Sequence, residues 1–219
     1  MQVGKCVTSF FAAVGEMPEQ TAPTIYASFE RRVNGSRSVR NAGDRAFGSS
    51  VLRSRDLDHL YESTFLNVTA AFEAYEEELF FASVLGRSGI ARVASVFHVR
   101  SRSEAERLVQ ATERAPFMGW LRPQAVGDRS RRFLVGGRPF SRLDRRDADL
   151  DLLRTVAVAR NAIAHKSGYA LAEFMKLPMQ GLEGPQKRPG NYLRQTVGSA
   201  SQHENMCTEI LRIAKGRSE

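Results

Sequence analysis

Three side chains that can act on a phosphodiester stand within six residues: Arg160, Asn161 and His165, in the run Arg160-Asn161-Ala162-Ile163-Ala164-His165. A guanidinium offers a planar fork of donors to phosphate oxygens and can stabilise charge that develops on them. An imidazole can take the proton from a ribose 2′-hydroxyl or give one to a leaving 5′-oxygen. A carboxamide can orient either group. This scheme cleaves RNA by transesterification, leaving a 2′,3′-cyclic phosphate and a 5′-hydroxyl, and it calls for no metal or other cofactor. On an ideal helix Asn161 lies about 40° from His165 around the axis, and Arg160 about 140° away. On that geometry Arg160 and His165 share a cleft only if the cleft is broad, the last turn distorts, or two copies of the chain face one another. The bland reading has His165 cap its helix and Arg160 pair with Asp147–Asp151 of a neighbour.

The element that carries the run is predicted as a helix from about Asp147 to His165. Asp147, Asp149 and Asp151 suit the positive end of its dipole. Leu150, Leu153, Val156 or Ala157, and Ala164 mark its buried side, and Gly168 can end it. Upstream, residues 56–85 contain neither Pro nor Gly, and Phe65, Val68, Phe72, Tyr75 and Leu79 recur at steps of three and four. That period predicts a long amphipathic helix with Leu66, Ala70 and Ala74 widening its face. It carries an acidic patch at Glu73, Glu76, Glu77 and Glu78, and Gly86 and Gly89 close it. A shorter helix is expected from Ser103 to about Arg114, with Ser103 as its cap. Residues 92–99 read as a short strand or further helix. Another short helix is expected over 169–177 and a last one from about Asn191 to Lys215.

Before the long helix, residues 1–33 hold two short apolar stretches, and Gly and Ser dominate residues 34–50, which read as a loop or linker. Between the helices, residues 116–146 set eight arginines (Arg122, Arg129, Arg131, Arg132, Arg138, Arg142, Arg145 and Arg146) against two aspartates. Gly and Pro residues there predict loops, with a short hairpin near 132–137. The arginines, with Lys166 after the His, are candidate contacts to an RNA backbone; a solvated basic face is the alternative. Phe117, Trp120, Phe133 and Phe140 read first as core and second as platforms for bases.

The net charge of +8 favours polyanions. No apolar run reaches the length of a membrane span, and the apolar Cys6–Gly15 stretch is a poor leader, with one preceding Lys and a closely following Glu16. Cys6 and Cys207 stand at opposite ends with no metal-ligand spacing, which suits a reduced, cytoplasmic setting. His59, His98 and His203 read as structural. Arg40-Asn41 repeats the Arg160-Asn161 pair but no His follows at the same spacing.

Arg160-Asn161-Ala162-Ile163-Ala164-His165 resembles the R-x4-H motif of HEPN proteins, which has a polar residue after the Arg. The run Thr69-Ala70-Ala71-Phe72-Glu73-Ala74-Tyr75-Glu76 resembles the helix that precedes the motif helix in that superfamily. The resemblance covers residues 56–176 and leaves 1–50 and the arginine-rich segment unexplained. It implies an all-α, HEPN-like helical bundle over residues 51–219, with an arginine-rich loop or short hairpin inserted at about 116–146 and an N-terminal extension over 1–50. It implies a homodimer whose motifs meet in a composite cleft, and a metal-independent endoribonuclease of toxin–antitoxin or antiviral defence type. Arg160 and His165 would then be catalytic, with Asn161 assisting and Glu73 a further candidate. Some relatives of this type have lost catalysis and serve as RNA- or protein-binding modules. Others are controlled by a partner nucleotidyltransferase through a Tyr two residues after the His. Here that place is Ser167, and the nearest Tyr is Tyr169. A DNA-binding regulator is a further option, without a recognition-helix pattern to support it.

Overall fold

A computed structural model describes residues 21–113, 118–141, 147–179 and 181–219. Among them are eight α-helices and one two-stranded hairpin: α1 (Ala22–Gly48), α2 (Ser54–Val84), α3 (Arg102–Glu113), α4 (Pro123–Phe133), α5 (Asp147–His165), α6 (Gly168–Phe174), α7 (Pro189–Arg194), β1 (Thr196–Val197), β2 (Ala200–Ser201) and α8 (Gln202–Ser218). The all-α expectation is met.

α2 is the axis of the bundle, touching α1, α3, α5, α7 and α8. Its predicted stripe of Phe65, Val68, Phe72, Tyr75 and Leu79 is buried. Each such side chain contributes about 1.5–3 kcal/mol. The stripe widens toward Ala71, Phe80 and Phe81 instead of Ala70, which is exposed. The helix begins at Ser54, about three turns before Phe65, with Asp56 accepting from the Arg53 N–H at 3.4 Å. It stops where Gly86 takes φ +69.

The linker expected over 34–50 is helical through Gly48, because its small residues sit at a helix crossing. Buried positions of α1 run Ala22, Ile25, Phe29, Val33, Ser36, Arg40 and Gly43, steps of three and four that form a seam against α2. A Cβ at Gly43 would stand 2.0 Å from Leu60 Cδ2, so the bare Cα leaves the Leu60 side chain its place in the seam. Glycine there serves contact, and composition alone misreads it as flexibility.

Other boundaries shift for similar local reasons. Ser101, not Ser103, accepts from the Glu104 N–H (3.2 Å), so α3 starts at Arg102. Residues 92–99 form turns with a single bridge from Ser95 to Leu134. The hairpin expected at 132–137 is the end of α4 followed by a 3-10 turn, Val135–Gly137. The single C-terminal helix is split: α7 docks on α2, the β1–β2 hairpin turns at Gly198 (φ +68), and Ser201 caps α8. α7 seats tightly. A Cβ on Gly190 would lie 2.6 Å from Asp58 Cβ and 3.0 Å from Asp58 Cα, and the Gly190 N–H donates to Glu62 Oε1 (3.1 Å).

Part of the acidic patch of α2 faces inward. Glu76, 1% exposed, pairs with Arg217 of α8, whose guanidinium lies near the rings of Phe72 and Phe140. Burial lowers Arg217 to about 10. Glu77 and Glu78 instead bind Arg102 of α3 (3.0 and 2.6 Å). Among the described residues, no helix is long and apolar enough to cross a membrane.

Candidate active site

The motif helix α5 has the bounds that its sequence predicted. Leu153, Val156, Ala159, Ala162 and Ile163 form its buried face. Ala164 is exposed, contrary to expectation, because Ala162 and Ile163 carry the buried face through the last turn and leave Ala164 on the outer side. Asp149 in its first turns pairs with Arg212 of α8 and ties that end down, while Asp151 pairs with Arg154 (2.9 Å). Neither aspartate takes Arg160.

Arg160 gathers the other candidates. Its Nη1 donates to Asn161 Oδ1 (3.2 Å) and lies 3.3 Å from His165 Nε2, and its Nη2 is 3.9 Å from Glu73 Oε2 on α2. A guanidinium only donates, so Nε2 accepts and the imidazole in this arrangement carries its proton on Nδ1. Ideal-helix angles hold for the Cβ atoms, but the Arg side chain is long enough to reach around the helix surface. One chain therefore joins Arg160 to His165 without a second copy. That removes spacing as a reason to expect a dimer.

The cluster is open to water. The Arg160 and Glu73 side chains are 28% and 26% exposed, and His165 is exposed. α5 ends at His165, Lys166 turns into the left-handed region (φ 48), and Ser167 caps α6 by accepting from the Ala170 N–H (3.2 Å). Gly168 therefore opens the next helix and does not close this one. The turn leaves His165 exposed beside the Arg160 guanidinium.

The arginine-rich segment divides. Arg122, Arg131, Arg132 and Arg138 are exposed, and so is Lys166. Arg131 pairs with Asp128 (2.6 Å). Arg129 is no RNA contact: it is 1% exposed, bridges Glu113 through Nε and Nη2 (2.6 and 2.8 Å) and lies 4.1 Å from the Trp120 ring centroid. Trp120, Phe133 and Phe140 are buried around Phe80. Arg142, Arg145, Arg146 and Phe117 lie outside the described residues.

Sequence reasoning passed over Arg154. It precedes Asn161 by seven residues and His165 by eleven, and so falls within about 20° of both on one stripe of α5. Gln124 of α4, with its amide oxygen turned to the guanidinium, accepts from Arg154 Nε at 2.9 Å. The seven- and eleven-residue spacing was the available signal.

A second cluster of the same residue types lies inside the bundle. Arg40 Nη2 donates to Asn41 Oδ1 (2.7 Å), and Arg40 Nη1 donates to His203 Nδ1 (3.1 Å) and pairs with Glu204 (2.7 Å). The Thr64 hydroxyl donates to Leu60 and Tyr61 carbonyls and accepts from His203 Nε2–H (3.2 Å). Burial, with the nearby Arg40 and Arg37 charges, lowers His203 to about 3. Burial raises the neighbouring Cys207 thiol to about 12, which makes it a poor nucleophile. His203 is structural, as expected; His59 and His98 are exposed.

Among the described residues, no three His, Cys, Asp or Glu side chains converge as a metal site would need. No family model, curated protein or solved structure matches the chain.

Proposed function

We propose that the protein is a metal-independent endoribonuclease of the HEPN type, acting by 2′-hydroxyl attack on the adjacent phosphodiester. The observation that carries this reading is the solvent-open convergence of Arg160, Asn161, His165 and Glu73 on two crossing helices. In the reaction, Arg160 leaves His165 Nε2 for the substrate phosphate. The freed Nε2 takes the 2′-hydroxyl proton, and the 2′-oxygen attacks phosphorus. The P–O5′ bond breaks, water protonates the departing 5′-oxygen, His165 returns its proton to the hydroxide so formed, and a 2′,3′-cyclic phosphate remains. Asn161 and Glu73 orient the guanidinium. Arg122, Arg132, Arg138 and Lys166 supply positive charge for the RNA backbone. The resemblance adds a homodimer, a cytoplasmic toxin or defence setting, and an antitoxin or nucleotidyltransferase as a controlling partner.

The test is incubation of the purified protein with total cellular RNA in EDTA, with end-group analysis of the products. Cyclic phosphates and 5′-hydroxyls that vanish in Arg160→Ala and His165→Ala support the reading; equal cleavage by the double variant sinks it. One observation favours a second reading, a non-catalytic RNA- or protein-binding module: the Arg160 contacts are already satisfied within the chain. That module would bind RNA in a salt-sensitive way and leave it intact.

A further inference from the structure

The three described aromatic side chains of the arginine-rich segment are in the core, so among the described residues a ring open to a base lies elsewhere. Tyr169 is 79% exposed and stands four residues after His165. Its backbone is held: Ser167 caps α6, the Leu171 N–H donates to the Ser167 carbonyl (3.0 Å), and Ala170 and Phe174 anchor the helix on its buried side. The ring is thus presented by a fixed turn that begins at the candidate catalytic histidine.

Its surroundings distinguish two uses. Glu173, four residues on, lies on the same side of α6 as Tyr169, and it pairs with Lys176 just past the helix end. The partly exposed Leu171 and Met175 fall on other sides of the helix. Tyr169 is a ring on a charged face, three residues after the exposed Lys166, and not the centre of an apolar patch. An aromatic so placed suits a nucleobase face with a phosphate held alongside, more than a protein interface core.

We propose that Tyr169 is a base-stacking residue that holds an unpaired nucleobase next to the phosphodiester presented to Arg160 and His165. The proposal rests on the RNA reading of that site. It makes Tyr169 a determinant of where the chain binds along an RNA, through the accessible face of one base.

The test uses the full chain and a short, fully 2′-O-methylated RNA that cannot be cleaved, with affinity read by fluorescence anisotropy in EDTA. Tyr169→Ala weakens binding about 5- to 150-fold, the factor that one stacked base represents, while Tyr169→Phe and Tyr169→Trp bind as wild type. In an abasic scan of the oligonucleotide, one position costs the wild type that same factor and costs Tyr169→Ala nothing more. Unchanged affinity in Tyr169→Ala overturns the proposal. So does a Phe variant as weak as the Ala variant, which would assign the role to the hydroxyl. A Tyr169→Ala protein that sediments as a smaller species, with no abasic effect in the wild type, assigns the ring to a protein contact. If the wild type shows the Tyr169-dependent base effect but cleaves no natural RNA, the ribonuclease reading fails and this one stands. Cleavage without any base effect leaves the ribonuclease reading standing and overturns this one.

Discussion

The Arg40 and Arg160 clusters use almost the same parts and differ in where water stands. In each, an arginine donates to the Asn that follows it, meets a histidine ring nitrogen and faces a glutamate. Arg40 is 5% exposed and His203 is sealed. Arg40, His203 and Thr64 there need their partners, while Asn41 and Glu204 reach water at its edge, and the network is a strut between α1, α2 and α8. The Arg160 side chain is 28% exposed and His165 is exposed, so water can compete for the same contacts. Residue type alone does not separate the two clusters; solvent access does.

Substitution should pull the two apart. The largest expected effect is at the open cluster: His165→Ala lowers the rate of RNA cleavage by about 10²–10⁴-fold. Its thermal midpoint and far-ultraviolet circular dichroism should match wild type. A comparable loss of stability would make it a second strut.

Acid should act on the closed cluster. His203 is held neutral to about 3 in the folded chain and has an ordinary value of 6.5 when unfolded. Between those values the unfolded chain binds the extra proton, so this contribution is complete above pH 6.5. It is lost as pH falls toward 3, at up to about 1.4 kcal/mol per pH unit. Urea titrations from pH 7 to pH 4 check this, with His203→Gln expected to flatten the slope.

Next in size, Arg40→Met should cost about 1.5–3 kcal/mol by stranding His203 and the partly exposed Glu204. Urea melts measure it, and cleavage by the protein that remains folded should be unchanged. The smallest effect belongs to Glu73→Gln. Its ion pair with Arg160 is long and partly exposed, so stability should change by about 1 kcal/mol or less. A cleavage loss beyond tenfold would promote Glu73 from positioning Arg160 to direct chemistry.

Local periodicity made α2 and α5 legible, because each carries its own apolar stripe. The hexamer was legible for the same reason: its residues are neighbours in the chain. What sequence hid depends on partners far away. Gly43 looks like a linker residue until Leu60 packs against it. Arg129 looks like an RNA contact until Trp120 and Glu113 enclose it. Glu76 looks like surface until Arg217, at the far end of the chain, arrives. Arg160 and His165 looked divergent because helix angles describe where side chains start, and a guanidinium acts some distance from its Cα.

α2 supplies Thr64 to the closed cluster and Glu73 to the open one, a few turns apart along one rod. Anything that frays this helix loosens the closed and the open cluster in the same event. Its central amides should therefore be among the slowest in the chain to exchange with deuterium, opening only when the bundle opens. A binding partner that slows them further would be felt at both clusters at once.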